Sequence, residues 1–370
     1  MKINFFGDFL APSVIGLQLS DDIIKIISSA DCNIVNYEAP IKNNPSVSKS
    51  PKSGPSHSQD ATGPAWLESH GFNLISVANN HIMDYGEEGL KRTMSAFTEA
   101  KTFGAGSWKE AYAPCIFEKG GKRVGILGLA HYEFGMLSDK WDNRYQFGIA
   151  WINHPNVDKI ILETKKHVDY LFVFAHAGIE HIEQPLPEWR DRYRSFVDLG
   201  CDAVIASHPH IVQGYELYHD KPIVYSLGNF YFPKSVEKPK QWYRSLCVSL
   251  DLNESKVSLR IIPCVFSKLC IELDNSSESL EYLDRVNSVL NDDKGYMEYI
   301  NHVCLEKLHS YKRQIGKSGY IFIDPKFLLK QFVRNVFKRD FNSTHLMNVL
   351  RCESHRWCIS RGIKLIDDYQ

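Results

Sequence analysis

The stretch Leu74-Ile75-Ser76-Val77-Ala78-Asn79-Asn80-His81-Ile82-Met83-Asp84-Tyr85-Gly86 decides the reading of this chain. Its opening is a short apolar run, of the kind that forms a strand buried on both faces. Two amides and an imidazole follow at once, and helical periodicity takes over near Gly89–Ala100. A strand that delivers such side chains at its C-terminal end matters, because ligands of α/β sheets bind at that edge.

The same grammar recurs along the chain. Ile3–Phe6 is followed by Asp8. Cys32–Tyr37 contains Asn36 and runs into Glu38. Tyr170–Ala175 leads to His176, Asp202–Ala206 to His208-Pro209-His210, and Val224–Gly228 to Asn229. Val124–Ala130 reads as a further strand, and helical patterns lie near Ser20–Ala30, Val157–Val168 and Glu188–Leu199. This alternation predicts an α/β domain. From Pro222 consecutive strands are expected at Ile223–Ser226, Leu246–Leu252 and Val257–Pro263, with a turn at Asn253-Glu254-Ser255. A two-sheet sandwich fits this order better than a single doubly wound sheet.

Carboxylates, amides and imidazoles gathered at strand ends are the ligand types of a divalent metal centre suited to Mn²⁺, Fe or Zn²⁺. Singly each is weak: a Gly-Asp is usually a turn, and Asn-Asn before a helix is by default an N-cap. Together they argue for one site, since a separate structural excuse would be needed at every strand.

Composition narrows the class. The 370 residues carry 24% charged and 12% aromatic side chains and a net charge of -1. Those are globular values, and they exclude a protein that coats nucleic acid or membrane over its whole surface. No apolar run reaches the ~18 residues of a membrane span, and Asp8 interrupts the apolar N-terminus, so no signal peptide is expected. The nine cysteines are scattered without a CxxC pair, as expected of buried thiols in a cytoplasmic protein.

Read as ordered motifs, the sequence resembles the CapA/PgsA-like capsule synthesis proteins, named for poly-γ-glutamate capsule formation, within the calcineurin-like metallophosphoesterase superfamily. The resemblance runs over roughly residues 2–232. It rests on Phe6-Gly7-Asp8, Asn36-Tyr37-Glu38-Ala39-Pro40, Val77 to Gly86, Phe103-Gly104-Ala105-Gly106, His176-Ala177-Gly178-Ile179-Glu180, His208-Pro209-His210-Ile211-Val212-Gln213 and Tyr225-Ser226-Leu227-Gly228-Asn229-Phe230. It implies a four-layer αββα sandwich holding two divalent ions. Asp8 would serve one ion, Glu38 would stand at the bridging position, and Asn80 and His176 would serve the other. His208 and His210 would divide between them. It further implies hydrolysis of a phosphate ester by activated water, with His81 as general acid.

Two departures stand out. The wider superfamily has Asp-x-His at the first motif, where this chain has Leu10, leaving one site short of an imidazole. The family usually has Gly-His-His-Pro-His at the fifth, where this chain reads Ala206-Ser207-His208-Pro209-His210. Ser207 faces either substrate or packing.

Around this set, Asp84 is expected to assist His81 catalytically by orienting it, or to cap a helix. Glu180 has a similar choice between orienting an imidazole and solvation. Asn36, Asn79 and Asn229 are candidate substrate contacts, with ligand orientation the alternative for Asn36 and Asn229. His131, Tyr132, Trp141 and Trp151 form either a binding wall or packing. The Ser/Pro-rich segment Asn43–Gln59, with Lys49 and Lys52, is long enough to be a lid or substrate loop.

The expected division is a catalytic domain at 1–265 and a helical region at 266–370, with helices near Ser279–Leu290, Tyr296–Tyr311, Lys326–Phe337 and Thr344–Ser360. Nine basic against two acidic residues between Lys326 and Lys364, interleaved with Phe327, Phe332, Phe337, Phe341 and Trp357, suit either a solvated cap or a peripheral contact with a membrane or anionic glycan. The expected partner is a phosphorylated small molecule or glycan, with no nucleic acid. Against the enzyme stands a non-hydrolytic capsule assembly factor that uses the same fold as a binding platform.

Overall fold

Period-two alternation builds the centre of the molecule. In β1 (Lys2–Phe9) Ile3 and Phe5 face one core, and Phe6 faces another. The computed structural model describes the chain except residues 42–47, 139–144, 254–255, 318–342 and 368–370.

The first sheet runs in the order β2 (Gln18–Leu19), β18 (Cys270–Leu273), β17 (Lys256–Ser267), β16 (Arg244–Asn253), β1, β3 (Cys32–Tyr37), β4 (Leu74–Ser76) and β5 (Lys101–Phe103). A further strand, β15 (Asn229–Tyr231), pairs with the end of β1. The second sheet runs β13 (Tyr215–Tyr218), β14 (Lys221–Val224), β12 (Ala203–Ser207), β11 (Tyr170–His176), β8 (Lys122–Ala130) and β7 (Cys115–Lys119). A small third sheet joins β6 (Ala105–Ser107), β10 (Phe147–Ala150) and β9 (Met136–Leu137). The described helices are α1 (Asp21–Ser28), α2 (Gly63–Ser69), α3 (Gly86–Ala96), α4 (Trp108–Ala111), α5 (Val157–Lys165), α6 (Pro187–Asp198), α7 (Ser277–Asn291), α8 (Asp293–Lys317), α9 (Ser343–Arg351) and α10 (Glu353–Asp367).

The two large sheets pack face to face. Phe5 meets Phe172 and Phe174 of β11 edge-on, with ring centroids 6.2 and 5.6 Å apart. Ile34, Ile205 and Val224 complete that layer. On the far side of the first sheet, Phe6, Val35 and Ile75 meet Ile23 and Ile27 of α1, Leu67 of α2 and Leu90 of α3. α5 and α6 lie against β11 and β12 of the second sheet. The result is the expected αββα sandwich. The helices start where their chemistry says they should: Ser20 caps α1 by accepting from the Ile23 amide, and Pro187 opens α6. Trp189, Tyr193, Phe196 and Val197 bury one face of α6 at helical spacing. Phe5→Ala would remove a ring shared by both sheets and cost about 3–5 kcal/mol.

The boundary drawn at residue 265 falls inside β17, which continues to Ser267 and pairs with β18. Tyr282, Leu283 and Val286 of α7 join the core between the sheets. By contacts the chain divides into one unit of Met1–Ser50 with Ser56–Tyr296, and another of Pro51–Pro55 with Met297–Gln370. The second unit's described residues include most of α8 together with α9 and α10, and the Tyr311 and His355 rings lie 5.2 Å apart within it. The basic segment from Lys326 through Phe341, the Asn253 turn's residues 254–255, and Trp141 lie outside the described residues. No helix among the described residues is long and apolar enough to cross a membrane.

Candidate metal centre

Strand register assembles the site. The parallel pairing of β1 places Asp8 opposite both Asn36 of β3 and Asn229 of β15. In the second sheet His176 stands opposite Ser207. The C-terminal edges of both sheets therefore deliver their polar residues to one place. A local irregularity in β1 makes this possible: register shifts between Phe6 and Asp8, and a Cβ at Gly7 would fall 1.9 Å from the Gly228 carbonyl oxygen. Only a glycine lets β15 approach so closely.

Asp8, Glu38 and His176 are buried, and each offers a donor atom within 4.8 Å of the others. His176 Nε2 lies 3.4 Å from Glu38 Oε1, 3.1 Å from Asn80 Oδ1 and 3.1 Å from His208 Nδ1. His210 Nδ1 lies 3.3 Å from Asp8 Oδ2. The six expected ligands thus form one connected cluster: Asn80, His208 and Glu38 lie around His176, and Asp8, which carries His210, lies 3.7 Å from His176 Nδ1. His208 and His210 hold backbone φ of +103° and +61°. Left-handed backbone at two non-glycine residues costs about 1–3 kcal/mol each and persists where the surroundings dictate it, as at functional sites.

Burial and mutual charge set the protonation states. Burial works to raise the Asp8 carboxyl, but the His210 hydrogen bond and the His176 charge hold it below its usual value. Glu38 goes the other way: burial lifts it, Asp8 adds to the lift, and His176 only partly offsets them. Burial opposes charging His176, yet Glu38 and Asp8 raise it. His210, against its burial, is raised to about 9 by Asp8. His208 is driven well down by burial and by the surrounding histidines.

Glu38 Oε1 is buried without a hydrogen-bond partner, and His176 Nε2 approaches it only to 3.4 Å. A buried carboxylate oxygen held that loosely is costly, and a cation among Asp8, Glu38 and His176 would satisfy it. The donor set of carboxylates, imidazoles and an amide oxygen fits a divalent ion.

The amides form brackets within the site. Asn36 Nδ2 donates to Asp8 Oδ1 at 2.7 Å and Glu38 Oε2 at 2.5 Å, spacing the two carboxylates. Asn79 Nδ2 donates to Asn36 Oδ1 and to the Tyr37 carbonyl, while its Oδ1 accepts from the His81 and Ile82 amides. Asn229 Nδ2 donates to the carbonyls of His210 and Trp242, and its Oδ1 lies 3.0 Å from His210 Nδ1. These polar atoms are engaged inside the protein.

Ser207 resolves toward the interior, 3.2 Å from His176 Nδ1 and buried. Leu10 belongs to the helix-side core, so no imidazole stands there. Glu180 is exposed, with a carboxylate oxygen 3.7 Å from His181 Nε2.

Beside the centre, His81 Nδ1 lies 2.8 Å from Asp84 Oδ2, and both are buried. The Asp84 carboxylate holds the His81 ring at its Nδ1 edge. Its other partners come from the Ser/Pro-rich segment: the His57 amide donates to Asp84 Oδ2 at 2.7 Å, and the His57 and His81 rings lie 4.6 Å apart. Asp84 thus touches both His81 and the backbone of that segment. His57 and Glu133 escape sequence reasoning. Glu133 Oε2 accepts from Asn80 Nδ2 at 3.0 Å, which turns the Asn80 oxygen toward His176. Both sit in loops without periodicity and leave no signal. His131 stacks edge-on to His208 at 4.3 Å, and Tyr132 to Trp151 at 5.2 Å, so those parts of the aromatic wall pack inside the domain.

Comparison with known proteins follows the same stretch. The family model described as bacterial capsule synthesis protein PGA_cap matches residues 14–234. Asp8 precedes that match, so its membership in the centre rests on the structure. The chain is 32% identical over 178 residues to the capsule biosynthesis protein CapA of Bacillus anthracis, covering 46% of this chain and 42% of that one. It is 32% identical over 170 residues to the PGA biosynthesis protein CapA of Bacillus subtilis, covering 45% and 44%. The chain thus spans less than half the length of these relatives. Among solved structures, the 5'-nucleotidase of Candida albicans is similar at 12% identity and a TM-score of 0.42, over 80% of this chain and 56% of that one.

Proposed function

From a chain that belongs to the bacterial capsule synthesis protein (PGA_cap) family, we propose a metal-dependent phosphoric ester hydrolase acting in capsule or surface-polysaccharide biosynthesis. Its substrate is a phosphorylated small molecule or glycan. The observation that carries the reading is the buried Asp8–Glu38–His176 cluster with its orphaned Glu38 oxygen, beside the His81–Asp84 pair. Asp8, Glu38, Asn80, His176, His208 and His210 would hold two divalent ions of the Mn, Fe or Zn type. When bound, such ions polarise a phosphoryl oxygen and lower the pKa of water.

The rest is the work of the chain. Asn36 keeps Asp8 and Glu38 at a fixed spacing. Glu133 and Asn229 orient Asn80 and His210. His81, locked by Asp84 through Nδ1, holds a proton at Nε2 and gives it to the leaving oxygen. Nine cysteines scattered without a CxxC pair support a cytoplasmic setting as part of the same proposal.

A second reading, a non-hydrolytic capsule assembly factor, is favoured by Leu10, which leaves one site without the imidazole of the wider superfamily. The experiment is an activity screen of Mn²⁺-loaded protein over phosphosugars, nucleotides, lipid-linked phosphates and an aryl phosphate, with metal content verified. Turnover abolished by chelation supports the hydrolase. A metal-loaded protein inert toward all four classes selects the assembly factor.

A further inference from the structure

The segment after β15 carries cations that the reading above does not use. Lys234 is half-buried, with its ammonium 4.0 Å from the Phe232 ring centroid and 5.2 Å from that of Trp242. The Lys238 ammonium lies 5.2 Å from the same Trp242 ring. Those rings also wall the metal centre: His210 lies 5.1 Å from Phe232 and 5.2 Å from Trp242. Two lysines and one ligand histidine therefore share an aromatic surface.

The next cations along the chain are neutralised. Lys240 pairs with Glu278 at 3.1 Å, and Arg244 with Glu278 at 3.2 Å and Asp274 at 3.4 Å. Among the described residues neither the Lys234 nor the Lys238 ammonium has a hydrogen-bond or ion-pair partner. Burial, then the neighbouring Lys238 charge, depress the Lys234 pKa, while the Glu180 and Glu38 carboxylates partly restore it. A half-desolvated ammonium held beside a second one is unfavourable until an anion arrives. Aromatic faces hold such cations in place without neutralising them.

We propose that Lys234 and Lys238, held on Phe232 and Trp242, form a subsite for a second anionic group, carboxylate or phosphate, on a substrate whose phosphate ester occupies the adjoining metal centre. This rests on the phosphoesterase reading and narrows its substrate class from simple monoesters to esters bearing a distal anion. Lysine suits such a role, as a mobile point charge that accepts either kind of oxyanion.

The test is calorimetric binding of three six-carbon ligands to the full-length, Mn²⁺-loaded protein. Glucose 6-phosphate has no distal anion, 6-phosphogluconate adds a carboxylate, and fructose 1,6-bisphosphate adds a phosphate. The expected result is a gain of about tenfold over glucose 6-phosphate, the scale of one charge-assisted contact, for the carboxylate, the phosphate or both. The ligand that gains names the anion. Lys234→Ala should erase the gain to within about twofold, Lys238→Ala should reduce it about threefold, and Lys234→Arg should keep most of it. No gain for either dianion, or a gain that Lys234→Ala leaves intact, overturns the subsite. The hydrolysis reading fails separately: a Lys234-dependent gain in a protein that cleaves none of the screened esters retains the subsite and removes the enzyme.

Discussion

Two carboxylate clusters in the sandwich differ in composition and in completeness. Glu216 of β13 accepts from Arg190 Nη2 at 2.9 Å, from Arg194 Nε and Nη2 at 2.7 Å each, and from the Tyr225 hydroxyl at 2.7 Å. Both its oxygens are satisfied by the protein. Burial works against its charge, but the Arg194 and Arg190 guanidiniums pull its pKa down to about 2. Glu38 is more deeply buried, one of its oxygens has no hydrogen-bond partner, and its pKa is raised. A structural ion cluster closes on itself, while a site keeps an unmet valence. The comparison separates the two without reference to any relative.

The sharpest way to break it is to remove a ligand. His176→Ala should abolish both metal binding and hydrolysis, read by metal analysis and turnover of the folded variant. A variant that keeps stoichiometric metal and full turnover would show that the unmet valence has another explanation. His81→Ala should lower kcat by about 10²–10⁴-fold while metal content stays unchanged. Loss of metal along with activity would recast His81 as part of the scaffold.

The closed cluster should answer in stability alone. Glu216→Gln leaves two guanidiniums without their anion and should cost about 3–5 kcal/mol of unfolding free energy, with kcat of the remaining folded protein untouched. Because the Glu216 pKa falls from 4.5 to about 2 on folding, its contribution is complete above pH 4.5 and fades as pH drops toward 2. The gap in Tm between wild type and Glu216→Gln should therefore shrink over that window. A gap constant across it would contradict the ionised cluster.

The smallest effect belongs to the brackets. Asn229→Ala releases His210 Nδ1 and two carbonyls, and should weaken metal affinity about 10–100-fold, the usual penalty for losing a group that orients a ligand. Unchanged affinity in a metal titration would return Asn229 to the role of a substrate contact.

Much of the centre was legible because strands announce themselves and their ends are short. Asp8, Glu38, His176, His208 and His210 each follow an apolar run, and all converge. What stayed hidden has a common cause. Strands of two to four residues such as β5, β6 and β9 carry too few positions for alternation to register. His57 and Glu133 arrive on irregular segments whose course depends on backbone partners elsewhere. The asparagines were recognisable as polar residues in the right place, but an amide has donors and an acceptor and can serve either substrate or scaffold. Which it serves depends on neighbours that local sequence does not name.

The sequence by itself determined the donor chemistry, the βα rhythm and the order in which strands present their ends, since these follow from local hydrophobic period and residue type. Only the tertiary structure decided which donors come together and which groups hold them. That depends on pairing across great sequence distance: the His208 amide reaches Asp8 Oδ2 at 3.4 Å over 200 residues, and Asn36 meets His176 over 140. Register and close packing fix such contacts to fractions of an ångström, and so decide that Glu38, unlike Glu216, is left with an oxygen to give.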